Sequence, residues 1–280
     1  VEKTMEWVQK NLIECRVTQN GITQKEQTAN FVVAKFTHHV SRAEDPHLHT
    51  HCVVLNMTVD RDGNWKAISN EKIFENQKLI GQIYRNELAK SLRDLGYSLE
   101  LKRDGTFEIT GINKEVIDHF SKRSAEIEKK LEQLGKDRET ATAAEKESAC
   151  LTTRNAKREI SLEEKRLEWK DDLKQLDPAL RPETLLHDQV QDKFTPLEGV
   201  QRACEILTDQ ESVFTQKDLM AEALKAGMGS YGIDEVEKAI LEAEKNGKLI
   251  RLEGDRYTTC LLYTSDAADE GLGVDLGGRR

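Results

Sequence analysis

The chain has 280 residues, a formal net charge of −9, and 33% charged against 37% hydrophobic side chains. This composition indicates a globular protein of two or three small domains with long charged helices, and it argues against a generally basic nucleic-acid coat protein. The five cysteines are scattered without a C-x-x-C pair, which excludes a disulfide framework and fits a reducing cytoplasm. The sequence has neither a transmembrane-length apolar stretch nor a signal peptide, so no membrane insertion is expected.

The first hundred residues alternate helix and strand signals. Residues 2–14 carry apolar side chains at helical spacing, and the pair Asn20-Gly21 is a strong turn signal. A long helix is predicted from Asn70, as its cap, through Leu95, with a glycine following it. Further strands are predicted at residues 65–69, 97–101 and 107–109.

Two consecutive segments are typical of paired strands. NFVVAKFTH (30–38) is rich in β-branched and aromatic residues, and LHTHCVVLNMTVD (48–60) has the same character. The polar segment between them, HVSRAEDPH (39–47), is predicted to be a loop. We expect the strands to form an antiparallel hairpin, and we assign His39 and His47 to the loop, outside the shared face.

Three histidines are predicted to meet on this hairpin. His49 and His51 are two residues apart and therefore point to the same face of a strand, and pairing brings His38 opposite or next to His49. Three imidazoles facing one point suit an open divalent-metal site, for which Zn²⁺, Mn²⁺ or Ni²⁺ is a better match than oxygen-seeking Mg²⁺. A solvent-facing polar pair without a metal is the alternative interpretation.

The character of the chain changes after Ile112. A charged helix is predicted at 114–134, and residues 137–176 form an exposed helical connector or helical hairpin with a capping box at Ser161 and Glu164. Prolines punctuate the linker that follows.

Residues 197–259 outline a winged helix. The pattern predicts a helix at 197–208, a second helix capped by Thr215, a third at 233–246 and a hairpin at 248–259. GMGSYG (227–232) lacks the lysine of a phosphate-binding P-loop and is predicted to be a turn. We therefore predict an α+β chain with four segments, at residues 1–135, 136–196, 197–259 and 260–280. The last segment is similar to translated sequencing-adapter read-through and is excluded from the fold.

Several segments resemble one family. TANFVVAKFTHHVSRAEDPHLHTHCVVLNMT is similar to the metal-binding segment of MobF-type conjugative relaxases of the HUH endonuclease superfamily. YRNELAKSLRDLGYSLE, DGTFEITGI and FSKRSAEIEKKL also resemble the family, and the similarity covers roughly residues 1–260. The resemblance implies that residues 1–135 are the C-terminal part of an antiparallel relaxase palm, and that residues 197–259 begin a helicase region.

The resemblance also implies a mechanism. A relaxase nicks one strand at a plasmid origin of transfer when a tyrosine hydroxyl attacks the scissile phosphate and forms a 5′-phosphotyrosyl link. A divalent metal held by His38, His49 and His51 orients the phosphate. The family's nucleophilic tyrosines precede residue 1, so we assign no catalytic residue in this chain and expect Tyr84 and Tyr97 to pack in the fold. Two positions depart from the family: His39 replaces an acidic residue, and a threonine replaces the usual hydrophobic residue between the paired histidines.

Contacts with DNA and with other proteins are further expectations. Arg42 lies in the loop beside the histidines, and Arg16 and Lys35 flank the strands, where they could meet phosphates or remain ordinary solvated charges. The implied partners are single-stranded DNA at the origin of transfer and the relaxosome and coupling proteins of a bacterial cytoplasm.

Two rival hypotheses stay open at this stage. One is a non-catalytic winged-helix DNA-binding module on a charged helical stalk. The other is a metal-dependent hydrolase of another class that uses the same histidine triad. Because no Walker motif is present, ATPase activity is not expected in this chain.

Overall fold

The computed structural model describes residues 1–153, 161–186 and 194–259. The segment 260–280, which we predict to lie outside the fold, falls outside these ranges. His187 falls outside them as well. The helices are α1 (Glu2–Leu12), α2 (Glu71–Glu75), α3 (Gln77–Asp94), α4 (Lys114–His119), α5 (Lys122–Glu132), α6 (Ala143–Thr152), α7 (Leu162–Leu176), α8 (Pro196–Thr208), α9 (Gln216–Ala226) and α10 (Ile233–Lys245). The strands are β1 (Glu14–Gln19), β2 (Ile22–Gln27), β3 (Val33–Val40), β4 (Pro46–Val54), β5 (Thr58–Val59), β6 (Trp65–Lys66), β7 (Ile68–Ser69), β8 (Leu99–Leu101), β9 (Phe107–Ile109), β10 (Phe214–Thr215), β11 (Leu249–Leu252) and β12 (Arg256–Thr259).

The strands form small sheets rather than one large one. Two three-stranded sheets have the orders β2-β1-β7 and β10-β12-β11, and the pairs β3-β4, β5-β6 and β8-β9 form two-stranded sheets. The pairings of β1 with β2 and of β3 with β4 are antiparallel. The predicted α+β class with antiparallel sheets is therefore confirmed. Each helix in the described part of the chain is too short or too polar to span a lipid bilayer.

The chain divides into two compact units. Unit 1 contains Val1–Phe31, Asn56–Glu108 and the described residues from 194 onward, and unit 2 contains Val32–Leu55 and Ile109–Leu186. These boundaries differ from those of the four predicted segments, and the division into domains stays a prediction.

Unit 1 is built around one apolar core. The amphipathic helix α1 buries Trp7, Val8 and Leu12 at helical spacing, and α3 contributes Ile83 to the same core. Helices α8, α9 and α10 and the β10-β12-β11 sheet complete the core, with side chains such as Leu224. The predicted three-helix and hairpin outline is confirmed, and β10 adds a third strand to the hairpin.

A turn at residues 227–230 joins α9 to α10, as predicted for GMGSYG. Asn86 of α3 is fully buried and donates to the Tyr231 carbonyl at 2.7 Å, while its amide oxygen accepts from the Gly229 amide at 2.9 Å. The Tyr231 ring lies against Gly199 of α8, where an added Cβ would meet the hydroxyl oxygen at 1.6 Å. Glycine is therefore required at position 199 because the aromatic ring occupies the space of a side chain.

Two predicted long helices are each broken in two. The helix expected from Asn70 through Leu95 is interrupted at Asn76, whose side-chain amide donates to the Lys72 carbonyl at 2.8 Å. A short polar side chain that bonds to the backbone in this way competes with helix propagation. Asn70 makes no side-chain cap hydrogen bond, so it is not the side-chain cap that we expected.

The second break lies within the helix predicted at 114–134. α4 ends and α5 begins around Ser121, whose hydroxyl donates to the Ile117 carbonyl at 2.6 Å. In contrast, the predicted glycine after α3 is confirmed: Gly96 has φ +95°, and its amide donates to the Arg93 carbonyl at 2.9 Å.

Unit 2 consists of the β3-β4 ribbon and helices α4 to α7. Helices α5 and α6 form a helical hairpin around Leu131, Ala141 and Ala149. One of the two hydrogen bonds of the capping box predicted for α7 is present: the Ser161 hydroxyl accepts from the Glu164 amide at 3.4 Å.

Candidate metal centre

The β3-β4 ribbon determines which side chains share a face. Its antiparallel register pairs Phe36 with His51, Thr37 with Thr50, and His38 with His49. Directly paired residues project from the same face of a sheet, and so do residues two apart on one strand. The predicted pairing of His38 with His49 is therefore confirmed, and His51 lies diagonally across from His38.

The three imidazole rings lie close together on the ribbon. The ring centroids of His38 and His49 are 5.4 Å apart, those of His38 and His51 are 5.2 Å apart, and those of His49 and His51 are 5.0 Å apart. A metal–nitrogen bond of about 2.0–2.1 Å places a ring centroid about 3.2 Å from the ion, so tetrahedral angles separate the centroids by about 5.2 Å. The spacing of the rings thus fits three imidazole ligands of one divalent cation.

The ring nitrogens are less well arranged than the ring centres. Among the residues that the structure describes, no group of three His, Cys, Asp or Glu side chains has its donor atoms placed to hold a metal ion. The register of the strands places the rings, whereas the nitrogens depend on rotation about Cβ–Cγ, which is a soft torsion in histidine. Turning the rings in place redirects the nitrogens without moving the backbone, so the strand register fixes the centroid spacing and not the direction of the nitrogens.

One of the three rings is held in a defined tautomer. His49 Nδ1 lies 2.9 Å from the His47 carbonyl oxygen. Because a carbonyl only accepts, Nδ1 carries the proton, and Nε2 of the neutral ring is left with a lone pair. A backbone carbonyl that orients the ring in this way is typical of histidines that bind metals.

His39 and His47 are strand residues and not loop residues, so our assignment of both to the loop was wrong. The β strands extend to Val40 and begin at Pro46, which leaves only residues 41–45 as the turn. His39 lies at a register shift between His38 and Val40. The ring of His47 stacks on that of His49, with centroids 4.5 Å apart, so placing His47 outside the shared face was also wrong. Partial burial and the neighbouring His49 lower the pKa of His47.

The three predicted DNA contacts are divided between the two units. Arg42 lies in the turn of unit 2. Lys35 pairs with Cys52 in the ribbon, three positions from His38, and therefore projects from the opposite face. Arg16 belongs to unit 1, where its guanidinium forms an ion pair with Glu71 and lines a shallow pocket with Lys66. These assignments stay predictions.

Sequence reasoning missed the residues that hold the turn of the ribbon. Trp169 Nε1 of α7 donates to the Glu44 carbonyl at 3.0 Å, and Lys165 Nζ lies 2.7 Å from the Glu44 carboxylate. The available signal was a single tryptophan in a helix whose charged side chains outnumber its apolar ones. His119 of α4 is only partly exposed and pairs with Asp172 of α7 at 3.1 Å.

The buried tyrosines are not available as nucleophiles. The Tyr231 hydroxyl donates to the Ala223 carbonyl at 2.6 Å, and the Tyr257 hydroxyl donates to the Glu244 carboxylate at 2.7 Å. Both side chains are 1% exposed, and burial raises the pKa of each hydroxyl. These two residues therefore belong to the core of unit 1. Tyr84, which we expect to pack in the fold, is instead 37% exposed.

An α+β fold with three imidazoles close together on an antiparallel ribbon agrees with the resemblance to MobF-type conjugative relaxases, and comparison with known proteins confirms this class. Residues 1–176 match the model of the TrwC relaxase family. The chain belongs to the TrwC relaxase family.

Relatives and solved structures agree with this assignment. The chain is 31% identical over 268 residues to the multifunctional conjugation protein TraI of Escherichia coli (strain K12), a match that covers 88% of this chain and 15% of that protein. The chain therefore spans a small part of the length of this curated relative. It resembles the conjugative relaxase TrwC in complex with oriT DNA, in a metal-free and a copper-bound structure. Each comparison has a TM-score of 0.60 and 36% identity, and each match covers 62% of this chain. The matches cover 61% of the metal-free TrwC chain and 59% of the copper-bound one.

Proposed function

We propose that this chain is part of a conjugative relaxase that nicks one DNA strand at a plasmid origin of transfer. The observation that carries the proposal is the convergence of His38, His49 and His51 on one face of the β3-β4 ribbon. Family membership supports it, as do structures of TrwC in complex with oriT DNA. The reaction class is a transesterification in which a tyrosine hydroxyl replaces the 3′ oxygen on the scissile phosphorus.

His38, His49 and His51 are the residues that would hold a divalent metal in this proposal. The backbone carbonyl of His47 accepts from Nδ1 of His49 and leaves the lone pair of the neutral ring on Nε2, so the chain itself orients one of the three rings. When bound, such an ion neutralises and orients the phosphate oxygens. TrwC has copper-bound and metal-bound structures. Imidazole ligands favour Zn²⁺, Mn²⁺ or Ni²⁺ over Mg²⁺.

The nucleophile is proposed to come from outside unit 2. The segments 32–55 and 109–186, which make up that unit, contain no tyrosine. The hydroxyls of Tyr231 and Tyr257 are engaged in the core of unit 1. We therefore expect the 280-residue chain to bind metal without forming a tyrosyl–DNA adduct.

The substrate is proposed to be single-stranded DNA at the origin of transfer. One TrwC structure is described as complexed with a 27-mer comprising the recognition hairpin and the cleavage site. Arg42 and Lys35, on the unit that carries the imidazoles, and Arg16 are the proposed phosphate contacts. Such a protein would work with relaxosome and coupling proteins on plasmid DNA, in the bacterial cytoplasm.

The charge of helix α10 argues against the winged-helix alternative. α10 occupies the position of the third helix, which enters DNA in many winged helices, yet it carries more acidic than basic side chains. Its acidic residues are Asp234, Glu235, Glu237, Glu242 and Glu244, against Lys238 and Lys245. An acidic helix repels phosphates, so this unit is a poor candidate for reading DNA by that helix.

A metal titration of the untagged chain tests the proposed site. His49→Ala removes one of three ligands and is expected to abolish saturable binding of Co²⁺ or Zn²⁺ measured by calorimetry. His39→Ala is the matched control, because His39 lies next to His38 but is not one of the three converging rings. Unchanged binding by His49→Ala would contradict the proposed ligand set.

A further inference from the structure

The turn that joins β3 to β4 is tightly organised. The Ser41 amide donates to the Asp45 carbonyl at 2.9 Å, and the Glu44 amide donates to the Ser41 carbonyl at 3.1 Å. The Ser41 hydroxyl also accepts from the Asp45 amide at 3.1 Å. Glu44 has φ +65°, a left-handed conformation that non-glycine residues rarely adopt. Such a residue keeps its conformation only when its surroundings hold it there.

Helix α7 supplies part of those surroundings. The indole Nε1–H of Trp169 donates to the Glu44 carbonyl at 3.0 Å, and Lys165 Nζ contacts the Glu44 carboxylate at 2.7 Å. Lys165 and Trp169 are four residues apart and thus lie on the same face of the helix. The Lys165 side chain is only 16% exposed, and its bonds to Glu168 and Glu44 raise its pKa. Both the backbone and the side chain of Glu44 are therefore held by one helix face.

Helices α4 and α5 support the same turn. Asp45 is buried, and its carboxylate lies 3.6 Å from Lys122 Nζ of α5. His119 of α4 pairs with Asp172 of α7 at 3.1 Å, which links α4 to the helix that holds Glu44. The turn is consequently held by side chains from two helices, one of which is tied to a third.

We propose that Trp169 and Lys165 are positioning residues for the metal centre, which they serve by holding the turn at residues 41–45. An isolated two-stranded ribbon is marginally stable in water, and a slip of one residue in its register moves side chains to the opposite face. Such a slip would separate His38 from His49. By fixing Glu44, α7 keeps the register in which the imidazoles meet. The inference rests on the proposed metal site and gives the charged helical segment a role in it.

Two pairs of variants in the untagged 280-residue chain test the inference. Trp169→Phe removes the donor to Glu44 and keeps an aromatic ring, and Trp65→Phe is its control because Trp65 is 65% exposed in unit 1. Lys165→Met removes the charge and keeps the hydrocarbon stem. Lys174→Met is its control on the same helix, where Lys174 pairs with Asp171 at 3.2 Å.

Metal affinity and hydrogen exchange are measured together. Loss of supporting contacts around metal ligands weakens metal binding by about 10–100-fold, and we expect about tenfold for Trp169→Phe and for Lys165→Met with Co²⁺. The visible spectrum of bound Co²⁺ should change in these variants only. Without metal, amide hydrogen exchange in a peptide covering residues 39–47 should be faster in Trp169→Phe and Lys165→Met than in either control. Lys165→Arg, which keeps the positive charge, should exchange as slowly as the unmodified chain.

The outcomes separate this inference from the proposed metal site. If the unmodified chain does not bind Co²⁺, the proposed site fails, while the exchange data still report whether α7 holds the turn. Unchanged exchange in Trp169→Phe and Lys165→Met overturns the positioning role. Faster exchange with unchanged Co²⁺ affinity and spectrum overturns its link to the metal centre. Thermal unfolding of each variant identifies any that fail to fold. If Trp169→Phe or Lys165→Met does so, the other variant carries the test.

Discussion

His38 lies directly opposite His49 across the β3-β4 ribbon, and their rings stack with centroids 5.4 Å apart. The pairing depends on the register of two strands that are joined by a five-residue turn at 41–45. A substitution that removes a ring, or that loosens the turn, should therefore weaken metal binding and leave the fold of unit 1 intact.

Metal should stabilise the chain through the three imidazoles. A ligand at one hundred times its Kd stabilises the folded state by about 2.7 kcal/mol, so chelation should lower the unfolding midpoint of the metal-loaded chain. His51→Ala should unfold at the same temperature with and without chelator, as measured by scanning calorimetry. An equal response of both proteins to chelation would place the metal elsewhere.

The chain should bind metal but should not cleave DNA by itself. After incubation with origin single-stranded DNA and Mn²⁺, we expect no shifted covalent species on a denaturing gel, because unit 2 contains no tyrosine and the hydroxyls of Tyr231 and Tyr257 are buried. A tyrosyl–DNA adduct, located by mass spectrometry on Tyr84 or Tyr97, would refute this prediction.

Arg42 and Arg16 should differ in their effect on DNA binding. Arg42 belongs to the unit that carries the imidazoles, whereas Arg16 lies in unit 1, where it forms an ion pair with Glu71. Arg42→Ala should weaken binding to single-stranded DNA and reduce the slope of log K against log salt by about 0.7. A smaller change is expected for Arg16→Ala in the same fluorescence titrations, and the reverse order would contradict the assignment.

Asn86→Ala should strongly destabilise unit 1. The substitution leaves the Tyr231 carbonyl and the Gly229 amide without their buried partner, and two such groups cost about 2–4 kcal/mol. Urea unfolding followed by circular dichroism measures the loss. The control, Asn11→Ala, removes one partly buried bond to the Trp7 carbonyl and should cost about 1 kcal/mol or less.

The helical hairpin of α5 and α6 should lose stability in acid through Glu145. Its bond to Lys136, followed by those to Thr142, lowers the pKa of the Glu145 carboxyl from 4.5 to about 2. A carboxyl whose pKa is lower in the folded state stabilises it above the unfolded pKa, so this contribution is lost as pH falls from 4.5 towards 2. Glu145→Gln should flatten the dependence of the unfolding temperature on pH in this window.

Glu147→Gln, on an exposed position of the same helix, controls for the loss of one negative charge. An unchanged acid dependence in Glu145→Gln would show that other carboxyls dominate.

Local signals determined much of what could be predicted. The period of two at His49 and His51, the turn signal at Asn20-Gly21 and the glycine after α3 act through neighbouring residues, and the structure confirms each of them. Helix breaks at Asn76 and Ser121 were missed because one side-chain hydrogen bond to the backbone outweighs a continuous apolar pattern. The extent of β4 was missed because Pro46 suggested a loop, although proline is tolerated as the first residue of a strand.

The amino-acid sequence by itself determined the α+β class and placed three histidines on one pair of strands, since these follow from residue types at fixed spacings, and its resemblance to known relaxases indicated the family. Only the tertiary structure decided that the charged segment supports the histidine ribbon, because the contacts of Glu44 with Trp169 and Lys165 join residues more than a hundred positions apart. It also decided that α1 and α3 share a core with the winged-helix elements. Both relationships depend on which apolar and charged faces meet, and spacing along the chain carries no information about that.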